Sequence, residues 1–543
     1  MANRLRQPRV PLPEIHWSPN EQWVWRKVRR GEEADFNKRY GVCPLPWVDE
    51  AWTEEEKARR LIRPEFLYTV LLHEPWRSAL SNWGFRLGGA YFAEPILMPH
   101  AEVIHEFWLT GCRIEYLLLL YDARFAHRLV ITGCRVNGWT NLAGLHTGGE
   151  LVLGQSRLGA TELKGAQVGG DFSANHAAFA GGLAMDRAEI QGDLFMDKGR
   201  FEGETRLHGV RVGGQAGLEE ATFAKRLAMD GAEIQGGLFM DKSRFEGEVR
   251  LHGVQVGGQV GLEEAAFAGD LTIQRAEILG ELFMRQAEFT NNAAAQIIFS
   301  EIGGNLHIEG ATFLYLDLTG THAQAVVDND MKWPDKLKLD HFIYQHLGGL
   351  GEAYGQDHML DRPASWFTGW LAKHKPYSPQ PYEQCAKVLR EAGQPGKAKE
   401  ILYRSKERER NEPNGDFRRW VWLTASKMVV GPRPDLALRP GPCGLGRRRA
   451  AAGLAGLLPD PVPEQRPQRL VGPGIQPQQT DSSGFLWQGH IGFARPVVFS
   501  QGLVHLPDPL RLVPGLFDRG WAGRGGPFWQ KSLIFPAGAL YYI

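Results

Sequence analysis

What most constrains this chain is a repeat. From residue 177 to 286 the sequence returns every 11 residues and, in finer detail, every 22. AAFAGGLAMDR begins at Ala177, AEIQGDLFMDK at Ala188, GRFEGETRLHG at Gly199 and VRVGGQAGLEE at Val210. The same four follow in order from Ala221, Ala232, Ser243 and Val254, a duplication of 44 residues. A unit this short cannot bury its own apolar face, so successive copies must stack into a solenoid.

Within a unit, position 1 is small, positions 3, 7 and 9 are apolar, position 5 is often Gly, and positions 2, 6 and 8 are mostly polar or variable. Apolar residues at 1 and 3, then at 7 and 9, give two short runs of strand alternation, with corners at 4 to 6 and 10 to 11. An 11-residue period also suits a right-handed helical coiled coil, but corner glycines and β-type alternation oppose it. Position 3 sets the coil length: Phe179, Phe201, Phe223, Phe245, Phe267 and Phe289 alternate with Ile190, Val212, Ile234, Val256 and Ile278. Phe therefore returns every 22 residues, two units make one turn, and a Phe ladder is expected inside the coil. The register already runs from Ala90, drops one residue in the unit at Ser156, gains about two in AEFTNNAAAQIIF, and gives 21 units ending near Thr321. At roughly 4.8 Å between paired strands, about ten turns make a rod on the order of 50 Å long.

The flanks read as helical. Ser18, Pro19 and Glu21 form a capping-box start with Gly31 as a stop, predicting a helix over about residues 19–30. A second apolar helix is expected from Pro64 to Leu72, and residues 1–89 together form an N-terminal cap, since a solenoid must cover its first open edge. After Trp333 the pattern changes to helices: SWFTGWLAKH, then SPQPYEQCAKVLREAG ending at Gly393, then a helix starting at Pro395. The last two resemble a single TPR-type hairpin whose expected task is to cap the coil. The expected domains are 1–89 (helical cap), 90–321 (β-helix), 322–431 (helical cap with a basic, aromatic end) and 432–543 (tail). The tail is rich in Pro, Gly and Arg with no Lys before Lys531, a composition expected to be largely disordered or to arise from a shifted reading frame.

Composition narrows the functional classes. Lys plus Arg and Asp plus Glu are each 62, so bulk charge points neither to nucleic acid nor to an acidic ligand. Locally, residues 177–288 hold 19 acidic and 12 basic side chains, a net of −7. The N-terminus has no apolar core of a secretory signal, no run of eighteen apolar residues occurs, and five cysteines without CxxC spacing fit a reduced cytosolic protein. Cys112 and Cys134, 22 apart at the small inward position, are expected to stack as buried thiols and not as a zinc pair.

The small-x-Phe step in AAF, GRF, ATF and SRF, with the Ala-x-Ile step in AEI, resembles the pentapeptide-repeat proteins. That resemblance implies a mainly β fold, a right-handed quadrilateral β-helix of about 22 residues per turn. The departures are sides slightly longer than five residues and a sparse Asn/Asp-Leu signature. A second resemblance covers roughly residues 60–431: PEFL at 64–67, PWR at 75–77, the repeats, YEQ to LREAG at 382–393 and the basic stretch 404–410. This order is similar to a group of bacterial β-helix membrane proteins, mostly uncharacterised and sometimes labelled membrane-associated oxidoreductases. It implies that Arg418, Arg419, Trp420, Trp422 and Lys427, with Leu423, Met428, Val429 and Val430, approach a membrane, the aromatics at the interface and the cations on anionic lipid.

Stacking at 22 residues makes columns outside the coil: Asp186, His208, Asp230, His252; then Asp197, Glu219, Asp241, Glu263; then Lys198, Glu220, Lys242, Glu264. The first is read as an Asp/His ladder able to hydrogen-bond between turns, the last as a charge-alternating ladder, and duplication generates all three automatically. The acidic column is the least comfortable, because like charges about 5 Å apart repel unless a cation or neighbouring Lys198 and Lys242 offset them. There is no GxGxxG, Walker loop, HExxH or GxSxG motif. No catalytic, cofactor or metal residue is assigned. The expected function is a non-enzymatic β-helix scaffold with an unknown protein partner, cytoplasmic and peripheral at the inner membrane of a bacterium, without nucleic acid or a small-molecule site. Its rivals are a soluble DNA-mimicking module and an oxidoreductase, the latter by label alone.

Overall fold

The computed structural model describes residues 16–41, 52–328, 332–348 and 359–411. Its centre is a right-handed parallel β-solenoid of about 12 turns and about 22 residues per turn. Each turn has four short sides. Taken in chain order from Tyr91, face 1 starts with Tyr91–Phe92, face 2 with Ile96–Leu97, face 3 with Glu102–Val103 and face 4 with Phe107–Thr110. Faces 1 and 2 are a 10-stranded and a 12-stranded sheet, and faces 3 and 4 belong to one 24-stranded sheet. The long strand His322–Val327 joins the last two by pairing with both Glu301–Ile302 and Leu306–His307.

Register follows the repeat. Phe179 pairs with Phe201 and Phe201 with Phe223, always 22 apart. The short unit at Ser156 makes that step 21, as in Thr140 with Thr161, and the extra residues around Asn291 make it 24, as in Leu271 with Ala295. Inside, the rings from Phe179 to Phe289 stack with centroids 4.6 to 5.3 Å apart and planes within 15°. That spacing is the strand repeat itself, so the ladder is a direct product of parallel pairing.

Two kinds of corner residue hold the sides together. Position 11 takes the left-handed conformation in every regular turn: Gly209, Gly231 and Gly253 alternate with Lys198, Glu220, Lys242 and Glu264, whose φ lies between 54° and 58°. Position 5 glycines do a different job. Gly214, Gly236, Gly258 and Gly280 each donate an amide to the Gly carbonyl one turn below at 2.8 to 3.0 Å. A Cβ on Gly258 would lie 2.9 Å from the Gly237 nitrogen, so close backbone approach and not positive φ selects Gly there.

The first edge is covered as expected. Helix α1 (Pro19–Val28) starts with the full Ser18/Glu21 capping box, followed by α2 (Phe36–Tyr40), α3 (Glu54–Arg60), α4 (Pro64–Leu72) and α5 (Trp76–Ala79). Ala34 and Asp35 pair with Leu87 and Gly88, removing the free edge of the first rung. Glu21 is buried and binds Arg63 through both carboxylate oxygens at 3.0 and 2.7 Å, pinning α1 to the start of α4. Burial opposes its ionisation, but the bonds from Arg63 and the Ser18 amide outweigh it and hold the carboxyl below its usual range.

At the far end the coil runs past both Thr321 and Trp333, through His322–Val327, Lys336–Lys338 and Ile343–Leu347. Leu316 pairs with Leu337 and His322 with Ile343, a step of 21. The expected switch to helices directly after Trp333 is therefore late, because period-2 alternation survives in KLKLD and IYQHL after the small-x-Phe step is gone. Helices α6 (Ala364–Ala372), α7 (Gln380–Glu391) and α8 (Pro395–Asn411) then close the end. Gln384 donates to the Tyr344 carbonyl at 2.6 Å and Gln380 accepts from the His341 amide at 2.8 Å, so the α7–α8 hairpin sits on the last rung.

Candidate interaction faces

The Asp/His column lies on the corner after face 2, with arginines beside it. His208 Nδ1 stands 3.5 Å from Asp186 and its Nε2 3.7 Å from Asp230, both too long for the direct turn-to-turn hydrogen bonds expected. Arg250 instead reaches Asp230 at 3.0 Å, and Arg206 lies 3.6 Å from Asp186. Arg206 and Arg250 stand two positions before His208 and His252, so the Asp186 and Asp230 carboxylates each have a guanidinium beside them as well as an imidazole. His252 contributes its backbone amide to Asp230 at 3.4 Å. All four column residues are part-exposed on the outside of the rod.

The acidic column is built into the backbone. Asp197 accepts the Glu219 amide at 3.0 Å and Asp241 accepts the Glu263 amide at 2.7 Å, while Asn175 does the same for Asp197 at 2.8 Å. An Asp at this corner thus supplies an acceptor to the next turn, which is why it recurs every 44 residues. Burial and the neighbouring carboxylates raise the pKa of Glu219, and burial, against the Glu263 amide bond, raises that of Asp241. In the third column Lys198 lies 3.6 Å from Glu220 and Lys242 3.9 Å from Glu264. Among the described residues no group of three His, Cys, Asp or Glu side chains is placed to hold a metal ion.

Cys112 and Cys134 stack inside, with the Cys112 amide 3.4 Å from the Cys134 sulfur; Ser156 continues the column. Burial pushes the Cys134 thiol well up, and that of Cys385, on the buried side of α7, rises to about 12. These are packing thiols. Arg418, Arg419, Trp420, Trp422 and Lys427, and the tail from 432, lie outside the described residues. No described helix is long and apolar enough to cross a membrane.

Sequence reasoning missed the sidedness of the rod. Units beginning at 188, 210, 232, 254 and 276 build faces 3 and 4, and units beginning at 177, 199, 221, 243 and 265 build faces 1 and 2. The first set carries 11 acidic and 4 basic side chains; the second carries 7 acidic and 8 basic. One side of the rod is therefore −7 and the other +1. Position 8 on face 4 points outward and alternates Phe195, Gly217, Phe239, Gly261, Phe283, with all three rings half-buried. On face 3, position 4 alternates Gln191, Gly213, Gln235, Gly257, Leu279, and Leu279 is 73 % exposed. A groove of about 160 Å³ lies over Gly257 between Gln235 and Leu279. The signal was available in the sequence, as a parity in unit charge and a Phe/Gly alternation at a position that otherwise reads as variable.

Comparison of the chain with family models, with curated proteins and with solved structures finds no match. The β-solenoid architecture therefore rests on the chain's own repeat and geometry.

Proposed function

We propose that this chain is a non-enzymatic β-helix scaffold of the pentapeptide-repeat-like kind that presents one face of a stiff rod to a protein partner at the cytoplasmic face of a bacterial membrane. The observation that carries the reading is sidedness: the five units on faces 3 and 4 carry a net −7 against +1 on faces 1 and 2, together with the outward Phe stripe. A rod whose interior is filled by a Phe ladder has its surface as the place for recognition. Surface aromatics beside concentrated charge are what protein interfaces use for anchoring and orientation. Attachment is assigned to Arg418, Arg419, Trp420, Trp422 and Lys427, whose composition suits an anionic lipid interface.

The test of attachment is flotation with anionic vesicles, comparing the full chain with a truncation before Glu412. The full chain is expected to float and the truncation to remain in the lower fractions; equal behaviour overturns the assignment. A second reading, a DNA-mimicking module, is favoured by the same acidic side and is opposed by the Phe stripe, since the outside of duplex DNA offers phosphate and not aromatic rings. Inhibition of gyrase supercoiling by the purified chain would move the choice to that reading.

A further inference from the structure

Face 1 ends earlier than its neighbours. Its ladder of paired strands stops at Glu288–Phe289, whereas face 2 runs on to Lys336–Lys338 and the sheet of faces 3 and 4 to Ile343–Leu347. Only an isolated bridge from Glu288 to Thr312 continues it. Thr312 donates its amide to the Ala287 carbonyl at 2.9 Å and accepts the Phe289 amide at 3.1 Å, so this last rung is joined to the one before it. On its other side the pairing fails. The face 2 register, Leu316 with Leu337, would bring Trp333 opposite Thr312, yet no backbone hydrogen bond joins residues 311–314 to residues 332–336.

The second segment is held elsewhere. The Trp333 carbonyl, which that register would offer to the Phe313 amide, accepts from Lys373 Nζ at 2.9 Å, and the Trp333 indole donates to Asp328 at 2.6 Å. A cleft of about 580 Å³ lies between the two segments, lined by residues 310–314 on one side and 332–336 on the other. That volume falls in the ~300–1,000 Å³ range of ligand sites. Phe313, Leu314, Trp333 and Pro334 give it apolar walls, and Leu314 is 48 % exposed. Along one wall the Ala311 carbonyl and the amide and carbonyl of Phe313 have no backbone partner among the described residues. Earlier rungs of face 1 use the equivalent carbonyls to receive their successors, as Ala177 receives the Arg200 amide and Phe179 the Glu202 amide at 2.8 and 3.0 Å. An unpaired edge of this kind is a template for another strand.

Charge selects the strand. Lys332 and Lys336 stand exposed at the cleft, and no carboxylate among the described residues lies within ion-pair distance of either. The acids nearby are engaged: Asp335 with Lys373 at 2.7 Å, and Asp317 with the Tyr315 hydroxyl at 2.9 Å and Lys338 at 3.6 Å. An acidic segment supplies the missing partners, and a basic one is repelled.

We infer that this cleft is a docking site for an acidic peptide in extended conformation, which adds a strand to face 1 at Thr312, seats alternate apolar side chains between Leu314 and Trp333, and sets its carboxylates against Lys332 and Lys336. Main-chain bonds supply affinity, and the cleft walls and lysines supply selectivity. The site belongs to a different side of the rod from the charged faces 3 and 4. It adds a second kind of partner to the scaffold reading and does not depend on it.

The test uses the full chain and fluorescent peptides of about six residues, the usual length of a strand: an Ile/Glu alternating peptide, an Ile/Lys peptide of the same pattern, and two copies of the first N-methylated on one or the other alternate set of amides. Anisotropy titrations are expected to show saturable, salt-sensitive binding of the Ile/Glu peptide and none of Ile/Lys. Methylation of the set facing Thr312 is expected to weaken binding about tenfold or more, and methylation of the other set to matter little. Hydrogen exchange of the Phe313 amide should slow when the Ile/Glu peptide is bound. Replacing both lysines (Lys332→Gln with Lys336→Gln) is expected to weaken binding about fivefold and to reduce its salt dependence, and Leu314→Ser should weaken it as well. Lys225→Gln, the same change at an exposed lysine beside a closed rung, leaves it unchanged. All these positions are exposed, and far-ultraviolet circular dichroism with Tm checks that each variant is folded. Equal binding of the two methylated peptides, or equal weakening by Lys225→Gln, overturns the proposal. So does binding of dodecanoate without the Ile/Glu peptide, which would assign the cleft to an amphiphilic acid.

Discussion

His374 shows how one side chain ties the C-terminal cap to the coil. It is buried, its Nδ1 accepts the Leu339 amide at 3.2 Å, and its Nε2 faces Asp340 at 3.5 Å. Accepting at Nδ1 requires the neutral ring with its proton on Nε2. Burial depresses its pKa, with Arg408 acting in the same direction and Asp340 and Asp317 against it. A folded value below the unfolded one, near 6.5, means that the histidine's contribution is fully present above about pH 6.5 and is lost as pH falls through the folded value. The protection factors of α6 and α7 amides, exchange rates corrected for the intrinsic pH dependence, are therefore expected to fall between pH 7.5 and 5.5, and His374→Gln should flatten that dependence; an unchanged profile in the variant would exclude the histidine. Asp241 has the opposite sign. Its raised pKa means that its cost is relieved on acidification, so the acidic column gains as the cap loosens. Asp241→Asn is expected to be neutral or slightly stabilising in Tm at pH 7, while Asp241→Ala, which strands the Glu263 amide, should cost about 1 kcal/mol in denaturant unfolding.

At the scale of the repeat, glycine has two separable meanings. Gly231 sits at position 11 with φ of 66° and nothing within 4 Å of a built Cβ, and Lys occupies the equivalent corner at 198 and 242. Gly231→Lys should therefore cost only the left-handed conformation, about 1 kcal/mol. Gly258 has an ordinary φ but almost no room, so Gly258→Ala must move backbone and should cost about 1 to 3 kcal/mol. Equal losses of Tm in the two variants would contradict the distinction. Here the limits of sequence reading are physical. The period in Phe179, Phe201 and Phe223 disclosed turn length and the interior ladder, because inward side chains answer only to the coil. The final rungs at Lys336–Lys338 and Ile343–Leu347 were not legible, since strand pairing there persists without the composition that marked earlier units. The Phe/Gly stripe escaped because an outward position was read for polarity alone, and its meaning depends on knowing which columns share a side.

The solenoid is a quasi-one-dimensional object, in which each turn pairs only with its neighbours and stability is close to a sum of turns and interfaces. Two turns make the exact sequence period, so residues 199–242 can be removed with every remaining strand still facing its usual partner type. Such a deletion is expected to fold, to unfold cooperatively and to lose stability in denaturant; loss of the folded state would show that particular turns, and not the sum, hold the rod. The caps are not interchangeable in this way, because Ala34 with Leu87 and His374 with Leu339 join specific ends.

The same periodicity has a consequence for heredity. A tandem stretch of about 132 nucleotides encodes each pair of turns, and misaligned recombination between such copies adds or removes whole multiples of that length. Because the register of the fold and the register of the gene coincide, the product of each such event keeps both ends closed and shifts only the distance between them, by roughly 9.6 Å per event. The length of this rod is thus a quantity that selection can adjust in steps, without having to solve the folding problem again.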